Sequence, residues 1–127
     1  FNCGIKESAV CFLCNEEEET FIHYFYECEV TQRFWRETLN WVKEQMKSNI
    51  IFSKSEILLG IQTEGMYFWS FIFLIAKYYL FLCHDKEWPN LENFKNKVNE
   101  IRLIEYNVAV NCDKMKKHNS KWKFLSQ

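Results

Sequence analysis

The sequence predicts an all-α domain, a compact helical bundle. Three observations lead to this prediction: apolar residues recur at steps of three and four, no useful stretch alternates apolar and polar residues, and only three Gly and one Pro occur in 127 residues. A loop-rich sandwich would need many more turn residues. Twelve Phe, six Tyr and five Trp supply a large core and exclude a disordered chain. This length suits one domain.

The first two helices are predicted from an apolar stripe and from a pair of end signals. Thr31 opens a helix that runs to about Lys47, and Ser53 with Glu56 makes a capping-box pattern for a second, two-turn helix that Gly60 stops. The stripe of the first helix contains Phe34, Trp35, Leu39, Val42 and Met46.

The third helix is predicted from an almost continuous apolar run, from Met66 to Cys83. Such a run is either a short membrane span or the central helix of a bundle. Lys77 lies in its middle and three tyrosines dilute it, which favours the bundle. The Lys77 ammonium is then expected to reach the surface or to pair with a carboxylate.

The last helix is predicted to open at Pro89-Asn90 and to continue for about seven turns, roughly 40 Å. Its apolar positions are Leu91, Phe94, Val98, Ile101, Ile104, Val108, Cys112 and Met115.

Charge is distributed unevenly along the chain, although the net charge is only −1. Residues 1–30 hold one base and seven acids, whereas residues 111–127 hold five lysines and one aspartate. The basic tail is therefore the end that could meet phosphates, unless both ends are simply solvated.

Four residues have the spacing of a zinc site. Cys11, Cys14, His23 and Cys28 give C-x2-C-x8-H-x4-C, in which two thiolates grip an ion from one turn and a second pair closes the tetrahedron. Four protein ligands leave no open position, so the Zn²⁺ is expected to be structural. Thr20 is expected to cap a short helix that carries His23, and Cys28 must fall where that helix ends, since positions five apart on an α-helix lie about 140° apart.

Other interpretations of the cysteines remain open. The four residues could be buried thiols with a core histidine, and the even count of six Cys could form disulfides. A second site is conceivable, although helix-core thiols are the simpler interpretation; its candidates are Cys83, His84, Cys112 and His118. Cys3 is expected to be a free thiol.

The stretch from Cys11 to Cys28, followed by Phe34-Trp35, resembles the zinc-binding region of non-LTR (LINE-type) retrotransposon reverse transcriptases. In that family a C-x2-C is followed by Glu-Thr, by a His on a short helix, by a closing Cys and by a Phe-Trp or Leu-Trp. Weaker similarities continue downstream, at Leu58-Leu59-Gly60, Ile75-Ala76-Lys77-Tyr78-Tyr79, Phe94, Glu105, Lys117-His118 and Lys121-Trp122.

The resemblance implies a carboxy-terminal accessory segment that helps the polymerase to engage element RNA or target DNA during target-primed reverse transcription. Its partners would be RNA or DNA and the remainder of the polyprotein, with no membrane and no small-molecule substrate. No charged leader with an apolar stretch opens the chain, so we expect an intracellular protein of the cytoplasm and nucleus. Residues 1–30 would form the zinc-binding knuckle and short helix, packed as one domain with a bundle of residues 31–127.

The basic tail is the predicted nucleic-acid contact. Lys114, Lys117 and Lys121 share a helix face, and Trp122 offers a plate on which an unpaired base could stack, unless it plugs the core. The flanking tail residues are Lys116, His118 and Lys123, and the cations that could extend the patch are Arg33, Arg36, Lys43 and Lys47.

A non-catalytic docking module is the alternative. The apolar positions between Leu91 and Met115 could form a seam with the polymerase or with a second copy, and the acidic run Glu16–Glu19 could face a basic partner. Catalysis by the domain itself is not expected, because its two aspartates, Asp85 and Asp113, are far apart in sequence and no phosphate-binding loop is present.

Overall fold

The structure, a computed structural model, describes residues 9–61, 65–111, 119, 121 and 122. Within these residues the chain is mostly helical, and its one extended pairing is an isolated bridge between Val10 and Glu18. This confirms the all-α prediction. The elements are a π-helical turn at His23–Glu27 and four α-helices: α1 Glu29–Met46, α2 Lys54–Leu59, α3 Tyr67–Cys83 and α4 Leu91–Asn111.

The predicted helix ends are confirmed where local side chains specify them. The Ser53 hydroxyl accepts a hydrogen bond from the Glu56 amide over 3.2 Å, and the Glu56 carboxylate accepts one from the Ser53 amide over 2.8 Å. Gly60 ends α2 with a φ of 100°. At the start of α4, the Asn90 side-chain oxygen accepts from the Asn93 amide over 2.8 Å. These contacts satisfy amides that the first turn of a helix leaves without partners.

One hydrophobic core joins the knuckle to the helices. At its centre the ring of Phe34, on α1, lies 5.6 Å from the rings of both Tyr79 on α3 and Phe94 on α4. The Trp35 indole N–H donates to the carbonyl of Phe25 over 2.8 Å, which ties α1 to the π turn. The core therefore fixes the N-terminal residues against the bundle.

Helix α3 is buried on one face only. Neighbouring elements cover side chains such as Ile72, Ala76 and Leu80, each 0 % exposed. The sequence predicts the central helix of a bundle, and α1, α2 and α4 do pack against α3, but within the described residues its opposite face is left exposed. The exposed side chains of that face are Tyr67, Leu74, Tyr78 and Phe81. Across the described residues, no helix combines the length and the hydropathy needed to cross a membrane.

Lys77, on α3, is half-buried and pairs with no carboxylate among the described residues, so the ion pair, one of its two predicted outcomes, is not observed there. Its ammonium donates to the carbonyl of Leu58 over 2.7 Å. The last carbonyls of a helix lack amide partners, and at the end of α2 the Lys77 ammonium donates to one of them. Burial lowers the pKa of Lys77.

The apolar stripe predicted for α4 holds only in its first half. Phe94 and Val98 are buried, but Ile104 and Val108 are exposed and Ala109 is buried instead. Beyond Ile101 apolar residues occur on every side of the helix, so spacing alone does not identify the inward face. Cys112 and Met115 lie outside the described residues.

Candidate metal centre

A tight turn presents the first two candidate ligands. The Cys11 amide donates to the Glu17 carbonyl and the Glu19 amide to the Ala9 carbonyl, each over 2.8 Å, so the chain doubles back on itself. The Asn15 amide closes the loop onto the Cys11 carbonyl over 2.9 Å. Asn15 has a φ of 57°, a left-handed conformation that asparagine tolerates well. Cys11 and Cys14 therefore lie on one rigid knuckle.

The π turn presents the other two candidate ligands. The Thr20 hydroxyl accepts from the His23 amide over 3.1 Å, which confirms the predicted cap. The turn ends when the Cys28 amide donates to the His23 carbonyl over 2.7 Å. Cys28 itself is extended, with φ −60° and ψ 140°, and begins α1. As predicted, Cys28 lies where the short helix ends, although that helix is a π turn.

The structure brings the four predicted ligands together. The sulfurs of Cys11 and Cys28 are 3.9 Å apart, and the Cys14 sulfur lies 3.4 Å from Nε2 of His23. All four ligand atoms lie within 4.8 Å of one another. Cys11 and Cys28 are fully buried and His23 is nearly so. None of these thiols is joined in a disulfide. The cluster could hold a metal ion, as the spacing predicts.

The two knuckle thiols differ in acidity. Burial raises the pKa of Cys11 to about 12. Burial also opposes ionisation of Cys14, but hydrogen bonds from the amides of Glu17 and Glu16 outweigh it and lower the pKa of Cys14 to about 7. At neutral pH Cys14 therefore ionises more readily than Cys11, and Cys11 loses its proton only when a metal cation replaces it.

A second layer of contacts, which the sequence did not predict, fixes the knuckle to the end of α3. One Glu19 carboxylate oxygen accepts from the Phe12 amide over 3.3 Å, and the other lies 2.7 Å from Nε2 of His84. The Glu19 side chain is only 10 % exposed. Glu19 and His84 are 65 residues apart in sequence, and no local pattern signals such a pair.

Only two of the four candidates for a second metal site, Cys83 and His84, lie in the described part of the chain, where the knuckle quartet is the one cluster of three or more possible ligands. His84 is engaged with Glu19, and the buried Cys83 sulfur lies 3.9 Å from a carboxylate oxygen of Glu87. Burial raises the pKa of Cys83. Cys3, Cys112 and His118 lie outside the described residues.

Of the predicted nucleic-acid contacts in the tail, the structure describes two, and burial rules out base stacking on one of them, Trp122. Trp122 is 1 % exposed, packs edge-on against Phe68 and Phe71, and donates through its indole N–H to Glu105 over 3.0 Å. It is a core residue, so its ring is covered and cannot stack on a base. Lys121 pairs with both oxygens of Glu105 at 3.1 Å. The other predicted contacts, Lys114, Lys116, Lys117, His118 and Lys123, lie outside the described residues.

No protein-family model, curated protein or solved structure matches the chain.

Proposed function

We propose that the Cys/His cluster binds one structural zinc ion. Tetrahedral zinc with Zn–S bonds of about 2.3 Å and a Zn–N bond of about 2.05 Å separates two sulfurs by about 3.8 Å, and a sulfur from a nitrogen by about 3.6 Å. The distances of 3.9 Å between Cys11 and Cys28 and 3.4 Å between Cys14 and His23 are close to these values. Three thiolates and one imidazole are a set of ligands that zinc prefers, and they leave no position open for catalysis.

Metal content tests the zinc proposal. The chain with Cys28→Ser should lose its zinc and melt at lower temperature, whereas Cys83→Ser, at another buried free thiol, should keep one zinc per chain. Elemental analysis and thermal denaturation provide the two readouts. Full zinc in the Cys28→Ser variant would remove Cys28 from the centre.

The proposed role of the zinc-stabilised domain is accessory nucleic-acid binding within a non-LTR retrotransposon reverse transcriptase. The observation that carries this proposal is the cluster itself: residues matching the family's motif, in the family's order, converge on one point. The resemblance implies a segment that helps the polymerase to engage element RNA or target DNA, and a non-catalytic domain beside the polymerase would supply such contacts.

Binding to nucleic acid tests this role directly. The zinc-loaded chain is titrated into a fluorescently labelled RNA stem-loop, single-stranded DNA and duplex DNA over a salt series, with anisotropy as the readout. Phosphate contacts should make the affinity fall steeply as salt rises. Absence of binding to all three at low salt would refute the role.

Docking onto a protein is the second candidate function, and the exposed face of α3 favours it. Tyr67, Leu74, Tyr78 and Phe81 are between 50 % and 75 % exposed and recur at steps of seven, four and three, which keeps them on one stripe. This face, rather than the first half of the predicted α4 seam, is open to a partner. A contact through it would respond little to salt and would be lost in Leu74→Glu, whereas nucleic-acid binding should survive that substitution.

A further inference from the structure

A row of cations lies along the solvent face of α1. Arg33, Arg36, Lys43 and Lys47 share this face with Asn40, at successive steps of three, four, three and four residues. All are exposed except Lys43, which is half-buried. At the standard helical rise the row is about 21 Å long. We call these five residues the α1 row.

Most cations of the α1 row are not held in ion pairs with the protein's own carboxylates. Nε of Arg33 lies 3.9 Å from a carboxylate oxygen of Glu37, and such an exposed ion pair is weak. Within the part of the chain that the structure describes, Arg36, Lys43 and Lys47 form no ion pair. Their charge is therefore available to an anionic partner.

An exposed indole lies at one end of the α1 row. Trp88 is 55 % exposed, and no described aromatic ring stacks on it. Together with Arg33, Arg36 and the knuckle residue Asn15 it lines a groove of about 480 Å³. The rest of the row borders a second groove, of about 460 Å³, lined by Asn40, Lys43 and Lys47 together with the carboxylate of Glu44. The ring and two cations thus line one groove, and the other two cations line a second groove further along the same helix face.

We infer that single-stranded nucleic acid lies along the α1 row, with its phosphates on the cations and an unpaired base stacked on Trp88. This inference rests on the proposed nucleic-acid role and gives it a location other than the tail. Aromatic plates beside cationic tracks hold single strands without reading sequence, since every base has a face that can stack. The carboxylates of Glu16 and Glu29 line the same groove and would keep phosphates on the arginine side.

Two charge-matched double variants test the phosphate contacts. Arg36→Gln with Lys47→Gln removes two cations of the α1 row, and Lys54→Gln with Lys97→Gln removes two lysines elsewhere on the surface. Each variant is titrated, zinc-loaded, against a labelled single strand of mixed sequence, as RNA and as DNA. The first pair should weaken binding at least ten-fold and make the slope of log K against log salt shallower by about 1.4, since each phosphate contact on a single strand contributes about 0.7. The control pair should leave that slope unchanged.

A second comparison tests the stacking plate. Trp88→Ala should weaken binding to the single strand about ten-fold without changing the salt slope, because it removes stacking but no phosphate contact. Tyr67→Ala, at a more exposed ring on α3, is the matched control and should bind as the unaltered chain does.

The outcomes separate the location from the role. If the unaltered chain binds the strand and the α1-row and Trp88 variants bind equally well, the inferred surface is wrong and the accessory role stands. If the unaltered chain binds neither RNA nor DNA at low salt, the role fails and the surface fails with it. Unchanged circular dichroism and melting of every variant exclude loss of fold as the cause.

Discussion

The amide of Cys28 donates a hydrogen bond of 2.7 Å to the carbonyl of His23, five residues earlier. This i to i+5 bond makes the turn π-helical and brings its two ends onto the same side of the chain. An α-helical turn would separate the same two residues by about 140°. The H-x4-C spacing of the motif therefore matches the π turn, because both place His23 and Cys28 five residues apart.

Deleting Glu27 should therefore destabilise the zinc-loaded chain although all four ligands remain. The deletion gives H-x3-C, whose two ligands an α-helical turn can place on one face, but α1 then follows one residue out of register and its buried face, with Phe34 and Trp35, turns by about 100°. Metal binding and core packing can no longer both be satisfied, so thermal denaturation should show a lower melting temperature in the presence of zinc. Glu27→Ala is the control: the side chain is exposed and, among the described residues, its ion pair is with Lys54, so the substituted chain should keep its metal. A deletion variant that retains one zinc per chain and melts as the unaltered chain does would contradict this account of the turn.

Glu19 should contribute more to stability than its acidic neighbours. Its two oxygens join the Phe12 amide of the knuckle to His84 at the end of α3. Glu19→Gln keeps the size of the side chain but removes the charge, and we expect it to lower the free energy of unfolding by about 1–2 kcal/mol. Glu18→Gln, at an exposed position in the same run, should change it by less than about 0.5 kcal/mol. Urea denaturation of both zinc-loaded variants measures the difference, and equal stabilities would mean that the link does not stabilise the fold.

Metal affinity should fall as the pH is lowered through 7. A thiol binds zinc as the thiolate, so protons and zinc compete for the same sulfurs. The pKa of Cys14 is about 7, so this thiol becomes protonated just below neutrality, while the pKa of Cys11, about 12, means that its proton leaves only when the cation arrives. Zinc competition titrations between about pH 6 and pH 8 should show weaker binding at the acid end. Calorimetry in two buffers of different ionisation enthalpy should show net proton release, and a pH-independent affinity would contradict the prediction.

The parts of the molecule that the sequence predicts are those with a local chemical cause. The Ser53–Glu56 capping box, the start of α4 at Asn90 and the quartet of possible ligands each depend on residues close together in the chain, and the structure contains all three. The Glu19–His84 pair depends on two segments that are distant in sequence but meet in the fold, so no residue spacing predicts it. The same limit applies to helix faces. Periodicity marks a helix as apolar, but the arrangement of its neighbours decides that Leu74 is exposed while Ile72 is buried.

The tail also shows why a basic pattern does not identify a binding surface by itself. Lys121 neighbours Trp122 in sequence, as a cation beside a stacking plate would, but both side chains are engaged by Glu105. Lys121→Glu would place a second carboxylate beside Glu105, so loss of binding in such a variant would report damage to the fold. Arg36 and Lys47 of the α1 row are exposed and form no ion pair with any residue that the structure describes, so substitutions there can be interpreted as changes in binding.

Substitution by alanine should lower the free energy of unfolding strongly at Trp122 and hardly at all at Trp88. Trp122 is 1 % exposed, packs against Phe68 and Phe71 and donates to Glu105, whereas Trp88 is 55 % exposed. Trp122→Ala leaves a large cavity and removes one hydrogen bond to Glu105, which keeps its ion pair with Lys121, so it should lower the free energy of unfolding by about 3–5 kcal/mol. Trp88→Ala removes a solvent-facing ring and should change it by no more than about 0.5 kcal/mol. Urea denaturation of the two zinc-loaded variants compares them directly. A strongly destabilised Trp88→Ala chain would mean that this indole supports the fold, and its effect on binding single strands would then have to be explained by lost structure rather than by lost stacking.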